Sequence, residues 1–411
     1  MGFGQGLSGL NAAAQNLDVI GNNVANSATV GFKSSSASFS DVFAASSVGL
    51  GVSVAAITND YTVGATNTAA SPYNLAITGT NGFFRMTDSN GTVSYTRNGQ
   101  FHKDENNFIV DDSGHSLTGY PVGGVGQAPI ALQVPQGSIP PVASTTIGVT
   151  ANLDADHDVI PATPVFDPAD KTTFSAQQPA TVYDSLGNSH QLTQYFAKRA
   201  GTATQSNYDV YYVFDGKVTS ATPTPISFDS SGRLLPTTVP NTVTITGIGA
   251  GTAGPPVVPI TSPAADLVLT FNYTGSTQFG GSDDIKLDPS GNSAGNFTGL
   301  SVGTDGSIMG SYSNGKSQLI GTVALAGFVN QNGLKAVGGN QFVETADSGP
   351  ATLGQPGSNG LSNIKGTALE GSNVVISNEL VNMIIAQRTY QANAQTIKTQ
   401  DQVLQTLLQI Q

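Results

Sequence analysis

Residues 376–411 read ISNELVNMIIAQRTYQANAQTIKTQDQVLQTLLQIQ. Ile376, Leu380, Met383, Gln387, Tyr390, Ala394, Ile397, Asp401, Leu404 and Leu408 follow at alternating steps of four and three, which lays side chains along one stripe of an α-helix. Eight of the ten are apolar, so the stripe is a coiled-coil-like seam. The spacing predicts a helix from about Ser377 to Ile410, roughly 50 Å long at 1.5 Å per residue. Its other faces are rich in amides, with eight Gln and four Asn against five charged residues between Glu370 and Gln411. Amides donate and accept hydrogen bonds without the desolvation cost of an ion, which suits a helix surrounded by protein on several sides. One helix of an ordinary bundle is the plainer alternative.

The same spacing recurs at the other end of the chain through Leu7, Leu10, Ala14, Leu17, Gly21 and Val24. Gly2, Gly4 and Gly6 cost about 1 kcal/mol each inside a helix, so this helix is expected to start near Leu7. It is too short to cover the C-terminal seam alone, and both ends are therefore expected to need neighbours. Residues 33–70, rich in Ser, Ala and Thr with little periodicity, form a connecting segment that is strand, loop or disordered before assembly.

Between these ends the chain changes character. All 21 prolines lie between Pro72 and Pro356, and hairpin signals such as Asn81-Gly82, Asn90-Gly91, Asn98-Gly99, Asp215-Gly216, Asn314-Gly315 and Asn332-Gly333 punctuate runs of β-branched and aromatic residues. Pro135, Pro140 and Pro141 on one side and the glycine-rich stretch 275–295 on the other mark an insertion. The expected fold is mainly β and multidomain, with α-helical coiled-coil-like ends and discontinuous, nested domains. Residues 1–32 and 370–411 form a terminal helical domain, 71–146 and 289–369 a first β domain, and 147–288 an inserted outer β domain.

Composition removes several kinds of chemistry. The absence of cysteine excludes disulfides, thiolate metal sites and a Cys nucleophile. A net charge of −12 with scattered basic residues does not suit nucleic acid or an anionic membrane. His102, His115, His157 and His190 have neither ligand-like nor triad-like spacing. Asp154, Asp156 and Asp158 imitate the start of a calcium loop, but Val159 and Val165 stand where it needs Gly and Glu. The pattern Gly291-Asn-Ser293-Ala-Gly295 matches a nucleophile turn but lacks the strand before and helix after it. Neither catalysis, cofactor nor metal is expected. The first 31 residues hold one charge and no apolar run of signal-peptide length, so export without a cleavable signal is expected.

Gly9-Leu10-Asn11-Ala12-Ala13-Ala14, Ile20-Gly21-Asn22-Asn23-Val24-Ala25-Asn26 and Thr29-Val30-Gly31-Phe32-Lys33 closely resemble the N-terminal signature of the bacterial flagellar rod and hook proteins. Leu369-Glu370-Gly371-Ser372-Asn373-Val374 and the run Asn382 to Ala394 resemble the partner signature at the other end. Tyr95-Thr96-Arg97-Asn98-Gly99-Gln100-Phe101 and Leu117-Thr118-Gly119-Tyr120-Pro121-Val122 resemble the first β domain of that family. The resemblance implies an axial subunit exported unfolded by the flagellar type III apparatus and stacked into a helical homopolymer. An inserted outer domain favours hook over rod, and another axial subunit, distal rod or junction protein, is the alternative. The implied partners are other copies of the chain and the distal rod, hook cap and hook-filament junction proteins. Asn22, Asn23, Ala25, Asn26, Gly31, Phe32 and Lys33 carry the family signature, and Phe39 and Phe43 resemble an export-gate signal. The competing reading, a secreted β-rich adhesin, would need an exposed aromatic platform in a chain without Trp.

Overall fold

A computed structural model describes residues 3–42, 49–124, 126–219, 222–236, 241–245 and 264–409. Two helices occupy the ends, α1 (Phe3–Ala25) and α2 (Ile376–Gln409), and the elements between them are strands joined by turns and short 3-10 segments. The mainly β architecture with helical ends agrees with the expectation from sequence. The N-terminal helix does not start near Leu7; it starts at Phe3 and includes Gly4 and Gly6. Packing explains the difference. A Cβ on Gly6 would lie 3.0 Å from Ile397 Cγ1, and one on Gly9 would lie 2.9 Å from the Asn393 side-chain amide, so the glycines let α1 lie close against α2. That contact offsets their poor helix propensity.

The segment after α1 is a long hairpin, β1 (Ser35–Val42) and β2 (Gly51–Asn59), paired from Ser35–Asn59 to Val42–Gly51 with a bulge at Ser38/Phe39. An isolated two-stranded ribbon is marginal in water. This one is tied to α1, because Gln5 Nε2 donates to Gly49 O at 2.5 Å and Val52 N donates to Ser8 Oγ at 3.3 Å.

The described residues divide into two compact units, residues 1–136, 298–311 and 317–411, and residues 137–297 and 312–316. In the first unit, strands from both sides of the insertion alternate within one sheet. Phe83–Thr87 pairs with Val93–Thr96, Ser116–Pro121 and Leu325–Gly327, and Val93–Thr96 pairs in turn with Gln341–Val343. Its aromatic core joins Tyr61, Phe83, Tyr95, Phe328 and Phe342, several of them edge to face at centroid separations of 4.8–6.5 Å, the arrangement that ring quadrupoles favour.

The second unit holds two sheets. One centres on Thr146–Asp154, which pairs with Leu267–Asn272, Thr277–Phe279 and Asp284–Pro289; the other runs through Ala176–Tyr183, Ser189–Thr202 and Gln205–Phe214. Period-two alternation sends Ile147, Val149, Ala151 and Leu153 to the inside, where they meet Phe196, Tyr208, Tyr212 and Phe271. Buried hydroxyls in this core are satisfied by one another: Tyr212 and Tyr273 share a 2.8 Å hydrogen bond, and Gln194 Nε2 donates to Tyr273 Oη at 3.2 Å. Burial pushes the Tyr212 phenol up to about 12 and Tyr273 well above its ordinary value.

These phenols ionise first in the unfolded chain, at about pH 10. Their contribution to stability is whole below that point and is lost as pH rises through the folded-state values. Between about pH 10 and about 12, Tyr212 alone is expected to withdraw about 2–3 kcal/mol from the second unit. Urea titrations followed by circular dichroism at either end of this window test it. A midpoint that does not fall, while tyrosinate absorbance rises, would overturn it.

Candidate assembly site

The family-like motifs at the two ends meet at the root of the helices. Asn23, buried in the last turn of α1, pairs with Ser35 as a strand would: its Nδ2 donates to Ser35 O at 2.8 Å and its Oδ1 accepts from Ser35 N at 2.9 Å. Asn26 closes the helix end on Asn22, with Nδ2 at 2.7 Å from Asn22 Oδ1, and accepts from the Thr29 hydroxyl at 3.1 Å. Gly31 then turns the chain with φ +69°, where a Cβ would strike the backbone of Arg97 and Asn98, and its N–H donates to Glu370 O at 2.8 Å. A glycine is required there on both counts.

Beside Gly31 lies a buried cluster of charges. Lys33 Nζ contacts Glu370 Oε1 at 2.5 Å, Arg97 Nη1 lies 3.5 Å from Glu370 Oε2, and all three side chains are at most 1% exposed. The longer contact is an ion pair without hydrogen-bond geometry, since Glu370 Oε2 and Arg97 Nε lack hydrogen-bond partners. Other donors spend themselves on backbone: Lys33 Nζ on Thr62 O at 2.7 Å, and Arg97 on Gly79 O at 2.8 Å and Thr80 O at 2.5 Å. Gly64 N donates to Glu370 Oε1 at 3.1 Å, and the Arg97 guanidinium lies 5.1 Å from the centre of the Phe83 ring. Burial pulls both Lys33 and Arg97 below their ordinary values, with Glu370 opposing. Asn373 completes the joint, accepting from Ser34 N at 2.8 Å and donating to Asp60 O at 2.8 Å. The cluster thus clamps the exit of α1, the first β hairpin region and the entry to α2.

The helices themselves leave much apolar surface open. On α1 the stripe against α2 and the β1–β2 hairpin includes Gly6, Ala12, Ala13, Ile20 and Asn23, one residue round from the stripe named from sequence. Leu10, Ala14, Leu17, Gly21, Val24, Asn26 and Phe32 are half-buried, while Leu7, Asn22 and Ala25 are exposed. On α2, Ala386 is buried and Met383, Asn393, Ala394 and Ile397 are half-buried; Ile376, Leu380, Tyr390 and Leu404 are exposed. Val375, Val381, Ile384, Ile385 and Val403 add to that exposed set, and each is at least half exposed. Sequence reading missed these five, though consecutive aliphatics in a helix, as at Ile384-Ile385, signal that more than one face is apolar. It also missed Gly6, Gly9, Arg97 and Glu370 as contact residues. The side chain of Leu408 and the whole of Phe43 lie outside the described residues. Phe39 is about half exposed and lines a groove of about 430 Å³ together with Gly9, Ala12, Ala13, Val52, Ile385 and Ala386.

The residues weighed for chemistry are placed differently. Each histidine contacts an aspartate, as in His157 with Asp283 at 3.1 Å and His190 with Asp215 at 2.8 Å. Asp154 Oδ1 accepts from Asp156 N, a local turn bond. Ser293 sits in the turn between strands Asp284–Pro289 and Gly295–Val302, with no helix after it. Among the described residues no group of three or more His, Cys, Asp or Glu side chains is arranged to hold a metal, and no helix is long and apolar enough to cross a membrane.

Comparison with known proteins covers most of the chain. Family models match in order: Flagella basal body rod protein at 5–33, Flagellar hook protein FlgE/F/G D1 domain at 76–152, Flagellar basal body protein FlaE D2 domain at 152–288 and Flagellar basal body rod FlgEFG protein C-terminal at 365–410. The flagellar hook protein FlgE of Salmonella typhimurium is 42% identical over 421 residues, spanning 100% of both chains. That of Escherichia coli is 41% identical over 418 residues, also spanning 100% of both. The crystal structure of Helicobacter pylori flagellar hook protein FlgE2 superimposes with a TM-score of 0.55 at 14% identity, covering 74% of this chain and 100% of that one, a likeness of fold.

Proposed function

This chain belongs to the flagellar hook protein family, and from that premise we propose that its two terminal helices form the seam on which copies polymerise. It is a structural subunit of the flagellar hook, and membership of that family implies a non-enzymatic role. The observation that carries the seam is the open apolar surface of α2. Ile376, Leu380, Val381, Ile384, Ile385, Val403 and Leu404 are each 46–58% exposed, more than a helix facing water alone would carry. Leu7, Leu10, Ala14, Leu17 and Val24 of α1 join Ile376, Leu380, Met383, Tyr390, Ala394, Ile397, Leu404 and Leu408 of α2 in this reading.

The domain scheme follows the same logic. Residues 1–32 and 370–411 build the inner tube, 33–70 connect it to the first β domain, and 147–288 form the outer inserted body. The polymer acts as a flexible universal joint that carries motor torque from rod to filament. Its end partners are the distal rod, hook cap and hook-filament junction proteins. The chain passes the flagellar type III export apparatus, with Phe39 and Phe43 as a recognition element.

The test compares full-length protein with a version lacking residues 1–30 and 372–411, which keeps Lys33, Arg97 and Glu370. Electron microscopy and sedimentation are expected to show polymers only with the ends present and a folded β-rich monomer without them. Unfolding of the truncated chain would place the ends in an intramolecular core and overturn the proposal.

A further inference from the structure

Asn-Gly pairs recur along the chain, at 81-82, 90-91, 98-99, 314-315, 332-333 and 359-360, and neither the fold nor the assembly site accounts for all of them. Such a pair carries its own chemistry. The glycine amide nitrogen attacks the Asn Cγ, the side-chain nitrogen leaves as ammonia, and a five-membered succinimide forms. Water then opens either carbonyl of the ring, leaving an aspartyl or an isoaspartyl residue. The step needs only water, a free glycine N–H and a carboxamide free to turn, so folded structure decides which pair reacts.

Five of the six pairs are held. In three of them the glycine closes its turn, with Gly91 N donating to Asp88 O at 3.1 Å, Gly315 N to Tyr312 O at 3.0 Å and Gly333 N to Asn330 O at 3.2 Å. Two of those are doubly held, because Asn314 Nδ2 donates to Ser293 O at 2.7 Å and Asn332 Oδ1 accepts from Asn59 N at 3.0 Å. Asn81 Nδ2 donates to Gly360 O at 2.9 Å, and Asn98 Oδ1 accepts from Gln100 N at 3.0 Å.

Asn359-Gly360 differs in its place within the turn. Leu361 N donates to Ser358 O at 2.8 Å, so Asn359 and Gly360 are the two central residues, with φ of +51° and +75°. Positive φ at both centres is the primed turn that Asn-Gly favours. In that turn the closing hydrogen bond belongs to the residue after the glycine, which leaves the Gly360 N–H unengaged. Both residues are exposed, and among the described residues the Asn359 side chain makes no hydrogen bond and nothing lies within 4 Å of where a Gly360 Cβ would project.

We propose that Asn359 is a site of spontaneous deamidation in the folded chain, selected over the other five pairs by turn geometry. The isoaspartyl product adds one atom to the backbone between Ser358 and Leu361 and places a carboxylate there. Leu361 is 5% exposed and packs where Cβ atoms on Gly327 and Gly354 would lie 2.9 Å from its methyls, so a lengthened turn loosens a filled part of the first unit.

The test follows full-length protein in mildly alkaline buffer by peptide mapping and enzymatic isoaspartyl methylation, beside the same chain in urea and Asn359→Gln. Natively, conversion at 359 is expected to outrun each other pair by about tenfold or more, the factor set by a hydrogen bond that must first break. In urea the six rates are expected to converge, and Asn359→Gln removes the fast native phase. Conversion of any other pair at the native rate of 359 would overturn the proposal. So would an Asn359 amide that survives natively while reacting in urea.

Discussion

Replacing Glu370 with alanine is expected to cost the first unit about 3–5 kcal/mol, because it leaves Lys33 and Arg97 as buried cations without their counter-ion. Desolvation is already unfavourable for both, as their lowered pKa values record, and Glu370 supplies the opposing attraction. Backbone carbonyls of Thr62, Gly79 and Thr80 remain as acceptors, but dipoles do not replace a full charge in a dry site. The pH dependence gives a second signature. Lys33 has a folded-state value below 10.5, so the unfolded chain holds more protons beneath that pH and stability from this group rises with pH in the window. Without Glu370 the folded-state value falls further, and part of the loss returns as the solution is made alkaline, up to the onset of tyrosine ionisation near pH 10. Denaturation followed by circular dichroism is expected to show one transition weakened and the transition of residues 137–297 unchanged. A loss below about 1 kcal/mol would mean that water reaches the cluster and that the clamp is not dry.

Lys33, Arg97 and Glu370 were each visible inside a family-like motif, but 337 residues separate the first from the last, and no local rule pairs side chains at that distance. Helices were legible because periodicity is local: the predicted Ser377–Ile410 differs from Ile376–Gln409 by one residue at each end. The contact stripe on α1 was displaced by one residue for a related reason. Leu7, Leu10 and Leu17 dominate any count of apolar periodicity, whereas the helix partner selects Gly6 and Gly9, whose value lies in what they lack. The hairpin of residues 35–59 was hidden by its Ser-rich composition, and its register rests on pairing with α1 through Asn23 and Ser8.

Exposed surface on the helices supports a prediction that separates folding from assembly. Leu380 is 46% exposed in the single chain, so Leu380→Glu is expected to change its stability by less than about 0.5 kcal/mol. In a polymer joined through α2 the same change buries an unpaired carboxylate at every joint, at several kcal/mol each, and cells carrying it are expected to export subunits but build no hooks. Gly21→Ala moves the two quantities in opposite directions. Among the described residues, nothing beyond the adjoining backbone of α1 lies within 4 Å of a Cβ at Gly21, so alanine should strengthen α1 by up to about 1 kcal/mol. If a second copy presses on the stripe of Leu10, Leu17 and Val24, that methyl stands in its way, and polymerisation weakens although the monomer is more stable. Measuring the monomer by denaturation and the polymer by microscopy, with secreted subunit assayed in the medium, keeps export failure apart from assembly failure. Normal hooks from Leu380→Glu would remove α2 from the seam. Normal hooks from Gly21→Ala alone would leave the α2 seam standing and show that the Gly21 face of α1 stays open between copies.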